Sequence, residues 1–208
     1  MTIRAVIFDI GDVLLRMENH DKRHEWETRL GLSREDLTRL VFDSKVAARA
    51  VTGEVPEEAI WNYVAETLRL SDEQLPQFQR DFWEGDQLDA DLARFMQALR
   101  PRYKVGILSN AWSDSRSAIN RKFNLDSYVD DAIYSAEVKL AKPDVRIFRL
   151  ALERLGVQAE EAVFVDDVLE NVQAAQSLGM KGVQFKSTQQ TIKEVIGYLD
   201  DYCPPAPA

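Results

Sequence analysis

Four short segments, spread over most of the chain, carry residue types able to do chemistry together. They are Phe8-Asp9-Ile10-Gly11-Asp12-Val13-Leu14, Gly106-Ile107-Leu108-Ser109-Asn110, Lys142-Pro143-Asp144 and Val163-Phe164-Val165-Asp166-Asp167. In three of them the polar residues stand where an apolar run stops. Open α/β sheets bind ligands beyond the carboxyl ends of their strands. A carboxylate, a hydroxyl, a lysine and a carboxylate pair meeting there suit a magnesium ion and a phosphoryl group.

Taken singly, each residue has a plainer reading. Asp9 is either a strand-end aspartate or a nucleophile and metal ligand, whose attack on phosphorus splits one hard step into two. Asp166 and Asp167 are either a turn or an acidic pair that calls for a cation between its members. In the second reading Asp167 binds magnesium directly, while Asp166 orients it or Lys142 from behind. Asp9, Asp167, a backbone carbonyl, phosphate and water then complete an octahedron. Asn171, one turn further on, is placed to hydrogen-bond the acids. Ser109 and the backbone N–H of Asn110 fit phosphoryl oxygens. Lys142 bridges nucleophile and phosphate, just before a helix expected to open at Pro143.

The elements that must position these groups are legible as periodicity. Short, apolar, β-branched runs at Ile3 to Phe8, Val105 to Leu108, Ala162 to Val165 and Gly182 to Phe185 read as buried strands, with a weaker one at Ala132 to Tyr134. Phe148, Ala151, Leu152 and Leu155 follow helical spacing, as do Ile192, Val195, Ile196 and Leu199. Alternating strands and helices predict an α/β fold with a Rossmann-like parallel sheet covered on both faces. From about Arg16 to Gly85 the alternation stops. This stretch reads as helices without a strand. One begins near Pro56, with Glu57 and Glu58 in its first turn and Ile60, Tyr63, Val64 and Thr67 as its apolar stripe. A helical insert after the first strand overhangs the site as a lid. Trp61, Trp83, Phe42 and Phe82 are expected to pack that insert, and Trp112 to line the entrance. Arg49 is a weaker candidate to face the site, and His20 and His24 read as surface.

The 208 residues, 45% of them apolar, predict a globular chain with one sizeable core or a core plus a small domain. A formal charge of -9 argues against nucleic acid as a partner, yet not against a phosphorylated small molecule. The lone cysteine, Cys203, excludes an intramolecular disulfide and a cysteine-based zinc cluster. With no membrane-spanning run and no secretory pattern, the expectation is a soluble, cytoplasmic protein, monomer or dimer, acting on a small phosphorylated metabolite. The tail Pro204-Pro205-Ala206-Pro207-Ala208 is expected to be loose.

Together the four segments resemble the motifs of the haloacid dehalogenase (HAD) superfamily, in the same order and over about two-thirds of the chain. The resemblance implies a core of residues 1–15 and 86–208 and a helical C1 cap of residues 16–85. It also implies magnesium-dependent phosphatase activity. On the matching positions Asp9 becomes the nucleophile, Ser109 the phosphate ligand, Lys142 the charge bridge and Asp166-Asp167 the acidic metal motif. One position departs from the pattern. The usual first motif is Asp-x-Asp, its second aspartate acting as general acid and base, and here that position is Gly11. Its carbonyl still suits the metal, but it has no side chain to give a proton. Asp12 is the neighbouring candidate for that role. The Asp-x-Gly form is similar to sugar-phosphate phosphatases, including glucose-1-phosphate phosphatases. An anomeric phosphate has a good leaving group and needs less protonation.

Two other functions compete. A 2-haloacid dehalogenase attacks carbon with the same aspartate and needs no metal, but Gly11-Asp12-Val13 does not match its usual sequence. A non-catalytic binding or regulatory protein is the third, and the joint presence of Asp9, Ser109, Lys142 and Asp167 argues against it.

Overall fold

The computed structural model describes residues 2–200. Cys203 and the proline-rich tail lie outside the described residues. Five strands form a parallel sheet: β1 (Ala5–Phe8), β4 (Lys104–Ser109), β5 (Asp131–Tyr134), β6 (Ala162–Asp166) and β7 (Lys181–Gln184). Their order is β5-β4-β1-β6-β7. Every pairing in it is parallel. β1 and β6 are buried along their whole length, as in a parallel sheet covered on both faces, whereas β7 at the sheet's edge keeps Lys181 exposed.

Side chains alternate across the sheet as the strand period requires. Val6 and Phe8 face one core, together with Val105, Ile107, Val163 and Val165. That core is closed by α6 (Ala90–Leu99) and α11 (Thr188–Tyr198). Ala5 and Ile7 face the other, with Leu108 and Phe164. It is closed by α9 (Val145–Leu155) and α10 (Leu169–Ser177). In α9 the expected positions Phe148, Ala151, Leu152 and Leu155 are all buried.

Register decides what meets at the top of the sheet. Phe8 pairs with Ile107 on one side and Val165 on the other. The next residue up is therefore Asp9, level with Leu108 and Asp166. One step further along β4 stands Ser109. Three motif residues far apart in sequence thus share one edge because the strands end together.

Between β1 and β4 lies the insert. It holds α1 (Asp21–Leu30), α2 (Arg34–Phe42), α3 (Lys45–Val51), α4 (Glu57–Leu68) and α5 (Gln74–Glu84). Trp26, Leu37, Val41, Ile60, Trp61, Val64, Phe78 and Phe82 give it a hydrophobic cluster distinct from the two sheet cores. The stretch is not free of strands. β2 (Leu15–Met17) pairs antiparallel with β3 (Asp86–Leu88), making a two-stranded stem where the chain enters and leaves the insert. Three-residue strands carry too little periodicity to read in advance. The stripe of α4 is also turned from the expected one: Ile60, Trp61 and Val64 are buried, while Tyr63 and Thr67 face solvent. Trp61 is the largest apolar residue of the helix, and its burial sets the rotation.

Two short helices complete the core side: α7 (Ser115–Phe123) and α8 (Ser135–Val138). The helix after Lys142 begins at Val145 rather than Pro143. Asp144 caps it by accepting the Arg146 N–H at 2.9 Å, so the first helical residue falls two places later than expected.

Candidate active site

At the edge of the parallel sheet, Lys142 lies buried between two carboxylates. Its Nζ is 2.8 Å from Asp9 Oδ1 and 2.7 Å from Asp166 Oδ2. Burial pulls the ammonium down, but Asp9 and then Asp166 hold it above the ordinary lysine value. The lysine is charged, and it neutralises one of the acids without reaching the third.

The two carboxylates beside it differ. Asp166 is wholly buried and fully occupied. Oδ1 accepts from Val168 N at 2.8 Å and Asn171 Nδ2 at 3.1 Å, and Oδ2 accepts from Lys142 and from Asn171 at 3.2 Å. Asp9 has fewer partners. Its Oδ1 faces the Lys142 ammonium at 2.8 Å and has no other partner among the described residues. Burial pushes the Asp9 carboxyl up to about 6, against the pull of Lys142 and with the help of Asp166. Three acids thus share one ammonium, and the uncompensated negative charge suits a further cation.

Asp167 supplies a further carboxylate. It is half-buried, and desolvation, then Asp166 and Asp12, raise its pKa. Gln184 Nε2 donates to its carbonyl at 3.0 Å and fixes the loop from β7. Ligand oxygens of Asp9, Asp166 and Asp167 lie within 4.8 Å of one another. Two oxygens of one magnesium shell stand at most about 4.2 Å apart, so the cluster is close to the size of such a shell. Since the oxygens of Asp166 are already engaged, Asp9 and Asp167 are the two free to bind, and the donor set fits a hard divalent cation.

The two residues expected to hold phosphate adjoin this cluster in the fold. Ser109 is buried at the end of β4. The side chain of Asn110 does a task that its place in a turn did not suggest. Its Nδ2 donates to Lys142 O at 2.9 Å, and its Oδ1 accepts from Lys142 N at 2.8 Å. This two-point clamp holds the lysine's backbone, whereas only the backbone N–H of Asn110 was expected to matter. Asn171 reaches Asp166 as its spacing suggested.

Gly11 is exposed, and a Cβ there would meet nothing within 4 Å, so the missing side chain is not excluded by crowding. Asp12 is exposed and holds a left-handed backbone (φ 53°), whereas Asp9 is buried. Its charge acts on Asp167, and on Arg23 and Asp86 near the stem.

Other candidates fall elsewhere. Trp112 does not form an open entrance wall. It is 5% exposed and packs into the insert's cluster, stacked on Phe42 at 5.5 Å and meeting Trp61 and Trp83 at 6.0 Å. Of the expected packing aromatics, Phe42 keeps the most exposure, at 40%. The Arg49 side chain is exposed and pairs with Glu54 at 3.4 Å. His24 is exposed beside Glu27, and His20 is only partly so. Among the described residues no helix is long and apolar enough to cross a membrane.

The sequence matches the model of the haloacid dehalogenase-like hydrolases over residues 3–179. The chain belongs to that family. It is 26% identical over 199 residues to drimenol cyclase drtB of Aspergillus calidoustus, covering 93% of this chain but only 36% of that protein. It spans 38% of bifunctional epoxide hydrolase 2 of Sus scrofa and so corresponds to part of such relatives. Two relatives of its own length differ in activity by name. Sesquiterpene phosphatase astK of Aspergillus oryzae is 24% identical over 93% of this chain and 95% of its own. (S)-2-haloacid dehalogenase 1 of a Pseudomonas strain is 26% identical over 88% and 84%. Among solved structures, a HAD-like hydrolase from Porphyromonas gingivalis superposes with a TM-score of 0.75 at 22% identity, over 95% of this chain and 98% of its own. HAD family enzyme bt-2542 of Bacteroides thetaiotaomicron, in complex with magnesium and inorganic phosphate, gives 0.73 at 20% identity, over 89% and 96%. These similarities establish the fold and the hydrolase family, while both phosphatase and dehalogenase chemistries are represented among the relatives.

Proposed function

We propose that the protein is a phosphatase of small phosphomonoesters, with sugar phosphates as the favoured class, acting through an aspartyl-phosphate on Asp9. One observation carries the reading. Asp9, Asp166 and Asp167 converge on one place with a single lysine shared between the first two, and Asp167 adds an acid without an ion pair among the described residues.

Asp9, Asp167 and the Gly11 carbonyl would hold magnesium, which when bound offsets the repulsion between carboxylate and phosphate. Asp9 then forms a bond to phosphorus as the ester oxygen leaves. Water attacks the same phosphorus, releasing orthophosphate and restoring the carboxylate. Ser109 and the Asn110 N–H hold the equatorial oxygens. Lys142 supplies positive charge where it is needed as negative charge shifts in the transition state. Asp166 and Asn171 fix the direction of Lys142, and the Asn110 side chain fixes its backbone.

Gly11 offers no proton to the departing oxygen, which favours leaving groups that need none. That is the physical case for an anomeric phosphate. The helical insert is proposed to act as the cap that encloses the leaving group, and a cytoplasmic setting suits a phosphorylated metabolite. The test is a phosphate-ester panel with magnesium, run on wild type, Asp9→Asn, Asp12→Asn and Gly11→Asp. Phosphate release that is abolished by Asp9→Asn and by a chelator supports the reading. Halide release from 2-haloacids without metal points instead to the second reading, which the similarity to (S)-2-haloacid dehalogenase 1 keeps in play.

A further inference from the structure

The ends of three helices in the insert are completed by core side chains. Helix termini leave orphan backbone groups that need partners. At the end of α3, Thr52 Oγ1 and the Gly53 and Glu54 N–H groups serve the carbonyls of Arg49 and Ala50. Val51 O is served from the core, by Ser135 Oγ at 2.7 Å. At the start of α4, where Pro56 offers no side-chain cap, the Glu57 N–H donates to Ser113 Oγ at 3.2 Å. At the end of α5, Lys122 Nζ reaches the carbonyls of Trp83 at 3.2 Å and Glu84 at 3.3 Å.

Ser135 differs from the other two in being wholly buried and in touching the phosphate-side loop as well. Its Oγ accepts from Ala111 N at 2.9 Å and also lies 3.0 Å from Ala111 O. A hydroxyl has one proton. It can go to Val51 O of the insert or to Ala111 O of the core, but not to both. Either acceptor satisfies the buried hydroxyl, and Val51 O is the nearer of the two. In the same loop, Trp112 is seated among the aromatics of the insert and Ser113 caps α4. Beside Ser135, Gly53 presses on Ala136 so closely that a Cβ would stand 2.5 Å from its carbonyl oxygen.

We propose that Ser135 is a positioning residue that couples phosphate binding at Ser109-Asn110 to docking of the helical insert. Its proton points to Val51 O when the insert is seated and to Ala111 O when it lifts. The proposal rests on the phosphatase reading. It goes further by naming the atom through which the loop and the insert sense each other.

Amide hydrogen exchange with magnesium and inorganic phosphate as probe tests it. In wild type, the probe is expected to slow exchange both in the 109–113 loop and at the insert amides of Gly53, Glu54 and Glu57, the latter by about tenfold, an ordinary coupling strength. In Ser135→Ala the loop keeps its protection while the insert loses most of its own. Equal protection of the insert in wild type and variant overturns the proposal. Gly53→Ala leaves Ser135 intact but drives the two surfaces apart, and it decides the matter should Ser135→Ala fold poorly. Loss of insert protection there supports the coupling, and its retention overturns it. No protection of the loop in wild type removes the phosphatase reading, and the coupling falls with it. That failure is distinct because it shows in the loop and not in the insert.

Discussion

The sheet edge and the helical insert bury their groups by opposite means. At the sheet edge the buried groups are ions: Lys142 between Asp9 and Asp166, fixed by Asn110, Asn171 and the Val168 N–H. In the insert they are aromatic rings, with Trp26, Trp61, Phe78 and Phe82 touching mostly edge to face. Directional bonds tolerate few substitutions, whereas ring packing tolerates many of similar volume. The comparison bears on where chemistry and choice of substrate would be held. On the proposed function the reacting atoms sit on strand ends, and the surface facing the leaving group would belong to a separate, more replaceable unit.

The sharpest way to break the comparison is Asp9→Asn. Removing the nucleophile is expected to lower turnover by at least about 10³-fold. The same substitution should raise stability, measured as the melting temperature in chelator. Burial raises the Asp9 carboxyl to about 6, so the folded state binds this proton more tightly than the unfolded chain. Stability from this group is complete below the unfolded value and is lost as pH rises through the folded one. The stability gained by Asp9→Asn should therefore be largest above about pH 7 and vanish near about pH 4. A gain that grows toward acid would contradict the assignment.

Next in size is Lys142→Ala. It leaves two buried carboxylates facing each other and is expected to cost about 3–5 kcal/mol in urea unfolding, besides abolishing activity. Wild-type-like stability would mean the charges are solvated. Gly11→Asp works in the other direction. With open space around Gly11, the new carboxyl should speed poor leaving groups by up to about 10²-fold and good ones little. A uniform effect across a series of leaving groups would sink the missing-acid argument.

What the sequence made legible follows from how each signal is encoded. Strand ends announced themselves, because an apolar run that stops at Asp9, Ser109 or Asp166 is local information. Parallel register then made the meeting of those ends nearly unavoidable. The Asn110 clamp on Lys142 was not legible, since it links backbone atoms of one segment to a side chain 32 residues away. The β2–β3 stem, at three residues a strand, was too short to show period-two alternation. Trp112 was placed at an entrance because it follows Ser109-Asn110. Its burial depends on Phe42, Trp61 and Trp83, which come from other segments.

Two smaller effects sharpen the contrast between the regions. Asn110→Ala should reduce kcat by up to about 30-fold through loss of two hydrogen bonds, each worth about 1 kcal/mol, while Ser109 still holds phosphate and KM changes little. A rise confined to KM would place Asn110 on the substrate instead. Phe42→Ala, at a half-exposed ring of the insert, should leave kcat on the smallest esters within about twofold but shift preference among bulkier ones by about 1–3 kcal/mol. An equal loss on every ester would show that the insert serves the chemistry itself.

The central claim is that Asp9 carries a phosphoryl group during turnover. An acid quench during turnover of a radiolabelled phosphate ester, with the Asp9 peptide read by mass spectrometry, tests it most directly. The account predicts a phosphorylated Asp9 peptide whose label hydroxylamine removes, as for an acyl phosphate. Phosphate released at the wild-type rate with the Asp9 peptide never phosphorylated contradicts it.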